Sequence, residues 1–340
     1  MKSLHLTGLL ALAVVSLHGQ TSPVYWSATK PDCSSLMNGE TPIQITSGNT
    51  VLGYSCYVSG TFVWLAAGGM WGTTLRVSAP ALNDIDADFT FYDTSGGNNV
   101  SLDSTLNNDN TTLASGNEVE VSLFANQPLE VEVLGNTSDA PNYGSTAEGS
   151  VYATFYCPDA ATCANVLPQL LYSALPSQPW SLSVPIAWDD QLSSQWSAVA
   201  IDDPSISNTV GFVIYNEDNA SANTYTIYVY DANGNPPVSG TTPSVPPSQS
   251  ATGEGGTYAD LLENVVSNIP TGPIKILIDG GSLLSAVEVL QINGTSATTL
   301  QVAFDTAPGA ASAAMKRPRS SVRRLHMPSS RKVASRSFRK

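Results

Sequence analysis

Histidine is nearly missing from this 340-residue sequence: His5 and His18 lie in an apolar leader and His326 in a basic tail. A body without imidazole has no Ser-His-Asp triad, no Cys-His pair and no His-ligated catalytic zinc. Cations are almost as scarce. The formal net charge is −14, and ten of the fourteen Lys and Arg fall between Lys316 and Lys340, a stretch free of Asp and Glu. Setting those ten aside (−14 minus 10) leaves −24, and after Lys2 the body keeps only Lys30, Arg76 and Lys275. Such a body repels nucleic acid and anionic membranes, and two lysines leave little scope for a lysine-activated nucleophile. No Gly-rich loop ending in Lys-Ser or Lys-Thr offers a phosphate cradle. No apolar run after the leader approaches the length of a transmembrane helix. Helical periodicity is confined to one short segment, and Cys-x-x-Cys, the spacing of zinc and redox sites, does not occur.

The leader itself is informative. Met1 and Lys2 precede an apolar run from Leu9 to Val15, followed by Ser16, Gly19 and Gln20. This is the pattern of a signal peptide over residues 1–20, and it predicts a secreted or cell-surface chain. In an exported chain the four cysteines, Cys33, Cys56, Cys157 and Cys163, are expected to form disulfides. Three pairings are possible; Cys33 with Cys56 and Cys157 with Cys163 are favoured because each closes a short loop.

The rest of the chain reads as strands. Short alternating, β-branched or aromatic runs occur at 61–66, 74–78, 86–92, 118–124, 129–134 and 150–157, and again at 180–188, 196–201, 210–215, 224–230, 274–278 and 286–292. Gly, Asn, Asp, Ser and Pro separate them, which predicts an all-β chain of two tandem antiparallel β-sandwich domains. The first spans 21–163 and the second 180–306. A connection at 164–179, bearing Pro168, Pro176 and Pro179, is read as a linker. One short helix is expected at 258–269, where Leu261, Leu262, Val265, Val266 and Ile269 share a face and Pro270 stops it. Residues 307–340 form the basic tail, expected to be disordered. It reads either as an electrostatic anchor to an anionic polymer, envelope or the acidic body, or as an extension without a role.

A shift of 138 residues (231 minus 93) lays Phe91-Tyr92-Asp93 on Val229-Tyr230-Asp231 and Gly96 on Gly234. The same shift lays Leu75 and Val77 on Val213 and Tyr215, and Phe89 on Ile227. Asp closes such a turn through its own backbone and Gly accepts positive φ, so the repeat is structural first. The stretch Gly68-Gly69-Met70-Trp71-Gly72-Thr73-Thr74-Leu75, with the Phe-Tyr-Asp turn after it, resembles the first half of a tandem Ig-like or fibronectin-like sandwich unit of secreted bacterial proteins. Residues 184–302, with the Tyr-Asp-Ala-Asn-Gly turn at 230–234 and a strand pair closing near Asn293-Gly294, resemble the second half. The resemblance spans about 61–304 and implies an immunoglobulin-like or fibronectin-like architecture at the cell surface. It implies no activity.

Carboxylates are the remaining source of chemistry. Alternation on a strand puts Asp84, Asp86 and Asp88 on one face and Ile85, Ala87 and Phe89 on the other. Such a row resembles the acidic strand of certain retaining glycosidases, although those use Glu at the catalytic positions. The same three Asp, or the pairs Asp189-Asp190 and Asp202-Asp203, offer hard oxygens suited to calcium. None follows the EF-hand loop, and Asp231-Ala232-Asn233-Gly234-Asn235 has its Gly too early. The plainer reading of each is a solvated face or a turn. Trp64, Trp71 and Tyr92 are candidates for stacking on a sugar, as are Trp180, Trp188 and Trp196, against the plainer reading that they fill a core. Five Asn-x-Ser/Thr sequons begin at Asn99, Asn110, Asn136, Asn219 and Asn293. The expectation is an extracellular structural or adhesive protein without catalytic activity or an obligatory cofactor, its partner an extracellular protein or polysaccharide. A carbohydrate-binding module supported by calcium is the alternative, and a carboxylate glycosidase the third.

Overall fold

Alternation along short segments governs what this chain builds. In Glu118–Leu123 every second side chain is buried, and the same rhythm runs through Gln195–Asp202 and Gly272–Asp279. A computed structural model describes residues 23–36, 41–67, 71–94, 102–106, 112–116, 118–133, 147–174, 181–189, 191–218, 221–247, 255–293, 296–304 and 322–324. The leader therefore lies outside the described residues, as does most of the tail.

The first group of strands is β1 (Ile43–Ser47), β2 (Thr50–Ala67), β3 (Trp71–Ser78), β4 (Ile85–Asp93), β5 (Leu102–Leu106), β6 (Thr112–Gly116), β7 (Glu118–Leu123), β8 (Pro128–Val133) and β9 (Ala147–Cys157), then β10 (Leu167–Ala174), β11 (Ser181–Pro185) and β12 (Ala187–Trp188). A second follows with β13 (Gln195–Asp202), β14 (Asn208–Asn216), β15 (Thr226–Asp231), β16 (Val238–Thr241), β17 (Thr257–Leu261), β18 (Gly272–Asp279), β19 (Ser285–Asn293), β20 (Ser296–Leu300) and β21 (Ala303–Phe304); β22 is Val322–Arg324. Two one-turn helices complete the set, α1 (Ala160–Cys163) and α2 (Leu262–Val265).

The strands form four sheets, antiparallel throughout except where β22 lies parallel to β1. The first two run β22-β1-β2-β9-β4-β7, with β12 beside β2, and β11-β10-β3-β8-β5-β6. They enclose a core that includes Phe62, Leu75, Phe89, Val131, Phe155 and Leu170. The other two run β16-β15-β18-β13-β21 and β17-β14-β19-β20, around Trp196, Phe212, Ile227, Ile276 and Val289. Each such side chain contributes roughly 1.5–3 kcal/mol through burial.

The two sheet pairs repeat one topology. The order β2-β9-β4-β7 matches β13-β18-β15-β16, and β11-β10-β3-β8 matches β20-β19-β14-β17, strand for strand in chain order. The β5–β6 hairpin is an insertion in the first copy. It explains why the sequence repeat is short: the offset is 138 through β4 and β15 (231 minus 93) but 118 from the start of β10 to the start of β19 (285 minus 167).

Each expected strand run overlaps an observed strand, except that the run at 180–188 divides into β11 and β12 in different sheets. Three further expectations need correction. The supposed linker at 164–179 carries β10, which is paired with β3 on one side and β11 on the other. Pro168 is tolerated because it lies one residue beyond Gln169, where pairing with β11 ends. The expected helix at 258–269 shrinks to a single turn, and its first four residues are strand. β17 takes the free edge of β14, with Tyr258 opposite Ile214, and only the single turn of α2 follows before Val266 returns to extended geometry. In the tail, Val322–Arg324 is not disordered but pairs with β1, Gln44 opposite Val322; β1 otherwise ends its sheet with an open row of backbone donors and acceptors.

Both favoured disulfides are present, Cys33–Cys56 and Cys157–Cys163. All four cysteines are buried in the first core, with Cys56 directly opposite Cys157 across β2 and β9.

Candidate functional site: an acidic sheet face

The outward face of the β2-β9-β4-β7 sheet gathers the polar residues that alternation keeps out of the first core. Ile85, Ala87 and Phe89 point inward, leaving Asp86 and Asp88 on the other side, as expected. Asp84 does not join them. It precedes β4, and its two carboxylate oxygens accept from the backbone N–H of Val24 and of Ala125, both at 2.7 Å. It ties the N-terminal segment and the β7–β8 turn to the sheet.

The third acid of the face is Glu120. β4 and β7 pair with Asp86 opposite Ser122 and Asp88 opposite Glu120, so one carboxylate oxygen from each of Asp86, Asp88 and Glu120 comes within 4.8 Å of the others. The alternation Glu118-Val119-Glu120-Val121 shows that Glu120 faces outward, but only the pairing of β7 with β4 reveals its neighbour. A calcium ion holds oxygens at about 2.3–2.6 Å, so ligands on opposite sides of it are about 5 Å apart, and the trio matches that span. The three acids differ in access: Asp86 is fully buried and accepts the Ser122 hydroxyl, whereas Glu120 is exposed.

Burial on this face comes from the N-terminal segment. Tyr25, Ile43 and Ile45 form a small apolar cluster, with Trp26, Tyr57 and Tyr156 around it. Tyr57, Tyr156 and Asp86 occupy one row across β2, β9 and β4. The acids therefore sit side by side at the margin of an aromatic cluster, not opposite one another across a crevice as in a glycosidase.

The other acidic candidates are engaged locally. Asp189 accepts the hydroxyls of Ser59 at 2.6 Å and Tyr152 at 3.2 Å, and its neighbour Asp190 lies outside the described residues. Asp203 caps the 3-10 turn at Pro204–Ile206, while burial, with Glu263 and Asp203 nearby, raises the pKa of Asp202. Asp231 accepts from the backbone N–H of Asn233 and Asn235 and from the Asn235 side chain, the main cause of its lowered pKa.

The candidate aromatic rings lie mostly inside. Tyr92 is 6% exposed, and the half-buried Trp64 packs against both the first core and a small cluster of Val63, Leu192, Val213, Tyr215 and Ala286 at the junction of the two sheet pairs. Trp188 meets Phe155 edge-on at 6.0 Å, and the buried Trp196 lies 4.7 Å from Phe304. The rings of Trp71 and Trp180 are outside the described residues, as are the sequons at Asn99, Asn110, Asn136 and Asn219; Asn293 is exposed where β19 turns into β20. Neither a family model, nor a curated protein, nor a solved structure matches this chain.

A second surface escaped the sequence reading. On β13, Val199 and Ile201 are 69% and 46% exposed, and strand register sets them on the face of the β16-β15-β18-β13 sheet that also bears Tyr228 and Tyr230. Alternation marks these residues as outward, but which outward faces remain uncovered is decided by how the sheets stack.

Proposed function

We propose that the chain is an exported, non-catalytic structural or adhesive element, two Ig-like modules forming a stiff acidic spacer with its contact surfaces on the outer sheet faces. The observation that carries this reading is the placement of the described aromatic side chains: Tyr92 and Trp196 are buried, and Trp64 and Trp188 are half-buried and packed against the first core. Two disulfides and the leader support export, and no helix among the described residues is long and apolar enough to cross a membrane. The resemblance to tandem sandwich units of secreted bacterial proteins agrees with it.

Carbohydrate binding supported by calcium is the competing reading, and the convergence of Asp86, Asp88 and Glu120 beside Tyr57 and Tyr156 favours it. One experiment separates the two. The purified chain is titrated against a panel of soluble and insoluble polysaccharides with calcium and with chelator. The spacer reading expects no saturable binding in either condition. Binding that chelator abolishes, and that Glu120→Gln weakens, would replace it with the carbohydrate reading.

A further inference from the structure

The junction between the two sheet pairs contains a carboxyl group that neither core explains. β19 turns Val287 and Val289 into the second core and Ala286, Glu288 and Leu290 the other way, toward the first sheet pair. Ala286 packs there with Val63, Leu192, Val213 and Tyr215, and Leu290 packs against the first core. A bulge in β2 presents Val63 to this junction: pairing with β9 slips between Phe62 and Leu65, so both of those stay in the core while Val63 turns outward. Glu288 lies between Ala286 and Leu290, opposite Val213, and is 4% exposed. Neither of its carboxyl oxygens has a hydrogen-bond partner among the described residues. The Thr299 hydroxyl, the one group favouring its charged form, donates to the Ser183 carbonyl at 3.0 Å.

No compensating cation faces it among the described residues, and Asp189, between Ala187 and Leu192 of the junction, is engaged by the Ser59 and Tyr152 hydroxyls. The 60–67 segment of β2, β11 and β20 hold no ionisable side chain. β14 contributes only Tyr215, whose hydroxyl accepts from Gly255 N–H. On β17, Tyr258 and Asp260 are in register with Ile214 and Phe212, on the opposite face of the sheet; Asp202 of β13 lies beyond the second core. Tyr92 and Asp93 end β4 near the Thr94 carbonyl, which accepts from Thr257 N–H, and that contact falls on the Tyr215–Ala286 side of the junction. An ionised carboxylate in this setting is strongly disfavoured.

We propose that Glu288 is a proton-controlled latch: its neutral carboxyl lets the two sheet pairs pack, and its ionisation loosens them. Burial pushes this carboxyl up to about 8, against an ordinary 4.5. The closed junction therefore keeps its proton up to about pH 8, whereas an opened, hydrated Glu288 gives it up near 4.5. Closure is favoured fully below 4.5 and loses that advantage as pH rises, until none remains above about 8. The interval from about pH 6 to 8 is nearly free of competing titrations, since the chain's histidines are His5, His18 and His326 and no described cysteine is free.

The test measures solvent access to the junction in the full chain. Val63→Cys reports opening by its rate of thiol labelling, and Leu192→Cys provides a second reporter. Val199→Cys, at a position 69% exposed on β13, gives the unprotected rate at each pH, so the ratio cancels the titration of the thiol itself. Between about pH 6 and 8 protection should fall by up to about a hundredfold, and the fall should vanish in Glu288→Gln and Glu288→Met backgrounds. A flat profile with Glu288 present, or the same fall in all three backgrounds, overturns the proposal.

Discussion

Asp84, Asp86 and Asp88 alternate in sequence as one row, yet the fold gives them different work. Asp84 holds two backbone amides from segments distant in sequence, Val24 and Ala125. Hydrogen bonds to a charged group contribute about 1.5–3 kcal/mol each at most. Asp84→Ala is therefore expected to lower unfolding stability by about 2 kcal/mol, read from the urea midpoint, with Asp84→Asn losing less because its carbonyl still accepts. A loss no larger than that of an exposed control such as Glu118→Ala would mean the ties contribute nothing. The alternation rule correctly separates Ile85, Ala87 and Phe89 from Asp86 and Asp88. It does not tell a solvated face from one covered by Tyr25 and its neighbours, because that cover comes from a segment some sixty residues earlier in the chain. Glu288 shows the same blind spot: between Val287 and Val289 it reads as an ordinary outward acid until a second sheet pair closes over it.

At the level of elements, turn residues and alternation carry most of the information. Gly48, with φ of 57°, sits in the two-residue turn joining β1 to β2, and Gly234, with φ of 74°, follows β15 in the Asp231 turn. The illegible elements are those whose structure depends on a neighbour. β10 is proline-bearing and β17 opens the segment that reads as a helix; each is a strand because a partner strand supplies the ladder. The disulfides act at this scale too. Cys33–Cys56 closes a loop of 23 residues and Cys157–Cys163 one of 6, for which loop entropy predicts about 3 and about 2 kcal/mol respectively. Replacing each pair by serine should thus lower the thermal midpoint more for the first bridge than for the second. Differential scanning calorimetry at neutral pH checks the order, and the reverse order would assign the dominant contribution to packing in the first core.

For the molecule as a whole, charge is the leading property. The body at −24 (−14 minus the tail's 10) has Arg76 engaged with Glu130 and few other cations, so mutual repulsion opposes compactness. Raising ionic strength from about 10 mM to about 150 mM shortens the screening length from about 30 Å to about 8 Å, and the thermal midpoint should rise by a few degrees. A falling midpoint would mean that attractive pairs, not repulsion, dominate the surface. The sequence by itself determined the all-β class, the acidity, the absence of imidazole from the body and the central strands of both sheet pairs, because alternation, composition and turn preferences act over a few residues. It also held the trace of the repeated topology, cut short by the β5–β6 hairpin. Tertiary structure alone decided that Glu120 joins Asp86 and Asp88, that Tyr92 is withdrawn from solvent and Trp64 half-buried, and that Glu288 is sealed in a junction. Strand register and sheet stacking bring together residues far apart in the chain, and no local pattern encodes which outward face another sheet will cover.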